Sequence, residues 1–178
     1  PSWAATMAEA IRAGADVAAG EIVDDPRSRL VVATRVVTGS IATRGRTPFA
    51  ASNNVAATAR LLAEFPFDER YADAAGEDRD WCERLSARGY RIVRTRATVV
   101  HRQQPTLGSY LSRHVRYGRG AFRYHRGGRR PQPLERPGFY ARLLGDGCRE
   151  GPAVGALVGL AQLATAYGYA REALARRG

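Results

Sequence analysis

Lysine is missing from this chain: all 28 basic residues are arginine, set against 17 acidic ones. A net charge of +11 points first to nucleic acid or an anionic membrane. Arginine-only usage beside abundant alanine is also the product of a GC-rich coding sequence, so part of the basicity is compositional. Cysteine is almost absent. Cys82 and Cys148 lie far apart with no metal-type spacing, which excludes a disulfide framework and suits a reduced, cytoplasmic setting. No basic start followed by an apolar run opens the chain, so Pro1-Ser2-Trp3 is not a signal peptide. The initiator methionine is missing too, and the chain is expected to be a fragment or a trimmed piece. Helix-turn-helix, RNA-recognition and zinc-finger signatures are lacking, as is a glycine-rich phosphate loop.

What is present is a chain of 178 residues, 44% of them hydrophobic, enough for one domain with a buried core. Residues 3–14 read as a helix capped by Ser2, with Trp3, Met7, Ala10 and Ile11 on one face. Asp16–Val23 reads as a strand, Asp24-Asp25-Pro26 as a solvated turn, and the β-branched run Arg29–Val37 as a strand by local composition, with a helix as the other option. A polar loop follows over Gly39–Pro48. Val55–Phe65 reads as a helix broken by Pro66, with Asn54 as a preferred cap. Phe67–Tyr71 is a turn, 78–88 a helix, Arg91–Val100 a strand or two, and Thr106–Tyr124 a helix rich in arginine and tyrosine. Strands alternating with helices predict an α/β fold.

The stretch Gly76-Glu77-Asp78-Arg79-Asp80-Trp81-Cys82-Glu83-Arg84-Leu85 places four acids within seven positions at the head of a helix. Helix starts favour negative charge through unpaired amides and the macrodipole. An ionised Asp78 there is able to take a proton from an attacking hydroxyl. Arg79 and Arg84 are positioned to hold the neighbouring acids, Asp80 pairing with Arg84 one turn on. Trp81 offers a flat apolar face suited to a sugar ring. A well-capped amphipathic helix with an acidic first turn is the plainer reading of the same residues.

The order of segments carries more than any one of them. Ala15-Asp16-Val17-Ala18-Ala19-Gly20, then Asn54-Val55-Ala56, Phe67-Asp68-Glu69, Glu77-Asp78-Arg79-Asp80-Trp81 with Arg84-Leu85 and Gly89, then His101 and Arg113–Gly120 come in sequence. In this, residues from about Trp3 to Gly120 resemble the acceptor-side half of the inverting, GT-A-fold glycosyltransferases of family two. The resemblance implies a partial GT-A domain, a mixed sheet flanked by helices. It implies Asp78 as general base, with Glu77, Asp80 and Trp81 meeting the acceptor. Arg113, Arg116 and Arg119 would steady a diphosphate, and His101 would be a ligand to a divalent Mg or Mn ion. The partners implied are a nucleotide-sugar donor and a glycan, lipid-linked or small-molecule acceptor, as in bacterial cell-wall or glycolipid synthesis. The family's donor pocket and its Asp-x-Asp motif are not in this sequence. His101 equally suits an ordinary strand end, and the arginines a solvated helix face.

Three regions are expected: the transferase half over 1–125, a basic Pro/Gly-rich linker over 126–150, and an apolar helix over 151–178. Gly151–Ala170 carries no charge over about the length that spans a bilayer, and Arg171, Arg176 and Arg177 follow. A packing helix, an interfacial membrane helix and a span are the three options, the middle one placing the protein at the inner face of the plasma membrane. The rival to an enzyme is a non-catalytic basic module for nucleic acid or an anionic membrane, with Tyr110, Tyr117, Phe122 and Tyr124 interleaved among arginines. It leaves the acidic helix head unexplained, and nucleic acid is not among the partners expected.

Overall fold

The computed structural model describes residues 2–24, 27–42, 48–127 and 135–176. In chain order they form α1 (Trp3–Arg12), β1 (Val17–Asp24), α2 (Arg29–Ala42), β2 (Val55–Ala57), α3 (Ala59–Glu64), a 3-10 turn at Glu69–Tyr71, α4 (Glu77–Ser86), β3 (Ile92–His101), α5 (Leu107–Gly127), α6 (Pro137–Arg149) and α7 (Pro152–Ala175). Residues 39–42 of the expected loop are the last turn of α2, and the linker expected over 126–150 is overturned in its described part, which holds the end of α5 and the whole of α6. The expected turn at 25–26, residues 43–47 of the loop, residues 128–134 of the linker and the basic end at 177–178 lie outside the described residues. The chain divides into two compact units. One comprises Pro1–Val23, Gly45–Glu69 and Glu77–His101, the other Asp24–Arg44, Arg70–Gly76 and Arg102–Gly178. The sequence suggested serial regions, whereas these units interleave.

The first unit is α/β, a three-stranded mixed sheet in the order β2-β1-β3 with helices beside it. β1 pairs antiparallel with β2 through Val17↔Ala57, Ala18↔Ala56 and Ala19↔Val55. Ser2 caps α1 as expected, its hydroxyl accepting from the Ala5 amide at 3.3 Å. The core gathers Val17, Ala19, Leu61, Phe65, Trp81, Leu85 and Ile92. Val55–Phe65 departs from the expected single helix. Alanine favours helix locally, but three of these residues complete the edge of the sheet, and Thr58 restarts the chain as α3 by accepting from the Leu61 amide.

Asn54 is structural, as anticipated, but it caps no helix. It is buried (1% exposed). Its amide donates to the Glu21 carbonyl on β1 at 2.7 Å and the Ala97 carbonyl on β3 at 3.1 Å. Its Oδ1 accepts from the Trp3 indole of α1 at 2.8 Å. Gly20 has to be glycine here, because a Cβ would overlap both the Asn54 amide and the Ala97 carbonyl.

The second unit is helical. Arg29–Val37, read locally as strand, is the first part of α2. Ala33 and Val37 are buried with Tyr110, Phe139, Leu143, Val154, Val158 and Ala161. This three-and-four spacing outweighs β-branched propensity. The Thr34 and Thr38 hydroxyls donate one turn back to the carbonyls of Leu30 and Thr34, so neither competes with the helix for its amides. α5 and α7 cross at glycines, since a Cβ on Gly118 would overlap the Thr165 carbonyl and one on Gly168 that of Val115. Beside that crossing Glu172 is buried, accepting from Arg123 Nε at 2.7 Å, Arg119 Nε at 2.9 Å and Arg176 Nε at 3.2 Å. Arg123, with Arg119, holds its carboxyl down to about 2.

His114 of α5 is fully buried between the rings of Tyr110 and Tyr117. Neither ring nitrogen has a hydrogen-bond partner among the described residues, a state that costs about 1–3 kcal/mol for a buried polar group. Burial, then the neighbouring Arg113 charge, lowers its pKa from 6.5 to about 4. The unfolded chain then takes up this proton first, so His114's contribution is complete above pH 6.5 and is lost as pH falls toward 4. Glu172, moved from 4.5 to about 2, acts only further into acid. Denaturation followed between pH 6.5 and 4.5 should show stability falling in wild type, toward a full loss of roughly 3 kcal/mol. His114→Phe should flatten that slope; an unchanged slope would show that another group carries it.

Candidate functional site

The acidic helix head is where the first unit concentrates its chemistry. α4 begins at Glu77 and buries Asp80, Trp81, Cys82 and Leu85. Three turns of amphipathic spacing fix it against the core, which leaves the first turn facing the segment that precedes β2. That segment is tied down along its length. The Ala50 amide donates to the Cys82 sulfur at 3.3 Å, and the Arg79 guanidinium lies over the Phe49 ring at 5.7 Å. The Ser52 hydroxyl donates to Glu77 Oε1 at 3.3 Å.

Asp78 is half-buried at this junction. Its Oδ1 accepts from the Arg79 amide at 2.8 Å, and the Ser52 amide also donates to its carboxylate. Those two bonds lower its proton affinity but are outweighed. Burial first, and then the Glu77 charge beside it, raise the carboxyl above the ordinary aspartate value of 3.8. Among the described residues it makes no ion pair. The result is a carboxylate oriented by backbone amides and more basic than a solvated one, as proton abstraction requires.

The other expected site residues divide. Glu77 stands beside Asp78, engaged with Ser52. Asp80 is bound to Arg84, as the spacing predicted, through Arg84 Nε at 2.8 Å, and Arg84 also donates to the Pro66 carbonyl. With Asp80 9% exposed, that pair ties α4 to the turn after α3, which corrects the acceptor-binding role given to Asp80. Trp81 needs the same correction. It is wholly buried, its indole donates to the Phe65 carbonyl at 2.7 Å, and its ring lies 5.0 Å from Phe67. No face is left for a sugar, and emptying that site would cost about 3–5 kcal/mol in stability. Cys82 is structural, its thiol pushed up to about 11 by burial.

His101 is the last residue of β3 and is half-buried. Among the described residues no group of three or more His, Cys, Asp or Glu converges to hold a metal ion, so His101 would be at most one donor among several. The arginines belong to α5, in the other compact unit. Arg113 is half-buried and Arg116 exposed. Arg119 is committed to Glu172 and Asp73, which corrects its role as a diphosphate grip. Of the aromatics in the nucleic-acid reading, Tyr110 and Phe122 are buried and Tyr117 and Tyr124 half-buried.

Sequence reasoning missed Ser52, which meets both Glu77 and Asp78. Its one signal was adjacency to the Asn54-Val55-Ala56 segment. No protein-family model, curated protein or solved structure matches the chain.

The order of causes at Asp78 makes a measurable statement. Removing the neighbouring charge with Glu77→Gln should lower the Asp78 pKa, read by carboxyl-resolved NMR titration, and still leave it above 3.8 because burial is the larger cause. A rise, or a fall to the solvated value, would contradict that order.

Proposed function

We propose that this chain is the acceptor-side portion of an inverting glycosyltransferase of the GT-A type, with Asp78 as its general base. The observation that carries the reading is the Asp78 carboxylate itself, half-buried at a helix head, aimed by the Ser52 and Arg79 amides and raised in proton affinity. The ordered segments from Ala15 to Gly120 supply the reaction class. Asp78 takes the proton of an acceptor hydroxyl as that oxygen attacks the anomeric carbon of a nucleotide-activated sugar. The bond to the nucleoside diphosphate breaks from the opposite face and the configuration inverts. Glu77 stands next to the base and supports its proton affinity.

A divalent Mg or Mn ion would neutralise the leaving diphosphate in such a reaction. The described residues offer no cluster that holds one, so the reading gives this chain His101 as a single donor. Arg113 and Arg116 stay available to an anionic ligand, and Arg119 does not. The acceptor classes are a glycan, a lipid-linked sugar or a small molecule.

The test uses the gene product that contains this chain, a panel of nucleotide sugars, and Mg or Mn. Asp78→Asn should lose turnover by about 10²–10⁴-fold while keeping nucleotide-sugar binding. A carboxyl with raised proton affinity adds most to stability at low pH, and that contribution is lost as pH rises through its folded pKa. At neutral pH the amide should therefore unfold no earlier than wild type. Equal turnover in the two proteins would remove Asp78 from the chemistry.

A further inference from the structure

α7 departs from the ordinary surface helix. Its inward face packs Val154, Val158 and Ala161 into the helical core. Its outward positions Ala153, Ala156, Leu160, Leu163, Tyr167 and Ala170 recur at helical spacing and are all exposed. None of them is charged. Leu163 is 69% exposed and Tyr167 61%. Only 28% of the helix's most apolar window is buried, although the helix is long and apolar enough to cross a membrane. An amphipathic helix would put charge on that side. α6 adds to the surface, with Tyr140 and Leu144 also exposed, and Leu144 lies against Gly159.

We infer that the outward face of α7 lies on an anionic lipid bilayer, in the plane of the headgroup boundary. A span is disfavoured by the inward face, which is packed in protein and ends at the buried, ion-paired Glu172. Charge separates lipid from a second copy of this chain. At +11 two copies repel, whereas anionic headgroups attract. Exposed Arg136 and Arg142 on α6 and Arg171 toward the end of α7 put cations on the two helices that carry the exposed apolar residues. The face is built of leucine and alanine with exposed tyrosines, and suits acyl-chain contact and tyrosine's place at a headgroup boundary.

The test is flotation of the 178-residue chain with phosphatidylcholine vesicles, with and without phosphatidylglycerol. The protein should rise with the anionic vesicles at least about tenfold more than with neutral ones, and less as salt increases. Leu163→Asp should reduce recovery about tenfold or more, and Tyr167→Asp should do likewise, with thermal unfolding of each variant matched to wild type. Replacing Arg136, Arg142 and Arg171 together by Gln should weaken anionic-vesicle binding on the order of a hundredfold, at about fivefold per charge. Absence of flotation would overturn the inference. So would charge-only binding that ignores both aspartate variants, or a dimer in sedimentation that Leu163→Asp dissolves while vesicles recruit nothing. No sugar enters the assay, so its outcome is separate from that of Asp78.

Discussion

The buried amide of Asn54 is the constraint on which the first unit depends. One side chain joins α1, β1 and β3 through Trp3, Glu21 and Ala97, and the Asn54 carbonyl accepts from the Gly20 amide of β1 at 2.9 Å. Each partner left unsatisfied in that interior would cost about 1–3 kcal/mol, so the chain has little freedom in where Asn54 sits. Ser52, two residues earlier, inherits that precision. Its amide and hydroxyl then reach Asp78 and Glu77, and a polar lock in the sheet becomes the orienting contact for a carboxylate on another element. The link from sequence to site runs through the interior, and the charged residues at the surface come last.

The second unit solves a different problem, that of packing helices in a chain crowded with arginine. A buried carboxylate normally costs several kcal/mol in lost solvation. Glu172 offsets this with three guanidinium partners. Two of them, Arg119 and Arg123, also bind Asp73, and Arg123 further donates to the Arg70 carbonyl. Segment Arg70–Gly76 is thereby fastened to α5, where Gly120 leaves no room for a side chain against Ala75. Part of a basicity that suggested nucleic acid is therefore internal mortar, and a count of charge does not distinguish an arginine that grips Glu172 from one that faces solvent.

How much of this was legible follows from where the signals lie. α1, α4, α5 and α7 carry helical periodicity or a cap in contiguous sequence, and all were found. β1 and β3 read as strands for the same local reason. Arg29–Val37 looks like a strand by its β-branching, while the spacing of Ala33 and Val37 meets a core that α5, α6 and α7 supply. Val55–Ala57 is too short to show a period, and its strand exists only because β1 supplies partners. At the site, Asp78 stood out through its helix head and Asp80 through its spacing to Arg84. Trp81 was assigned a surface it does not have, because an aromatic on an amphipathic helix looks the same whether its stripe meets a ligand or the core. Ser52 and Arg119 depend on partners 25 or more residues away, which no local pattern displays.

Asp78 and Asp80 show how two positions in one helix turn give two fates to the same side chain. Asp80 is bound by Arg84 Nε at 2.8 Å, and the same guanidinium donates to the Pro66 carbonyl, so this charge is matched and serves to hold the helix. Asp78 faces amides and the Glu77 carboxylate. Two amide donors and the Arg79 charge favour its ionised form, but burial and the like charge of Glu77 outweigh them. A neutral side-chain amide at such a position would still accept from a backbone donor without carrying a disfavoured charge. A carboxylate held where its own charge is disfavoured, yet aimed by fixed donors, is stored proton affinity. That pairing of orientation with unfavourable charge separates Asp78 from the other acids in the first turn of α4.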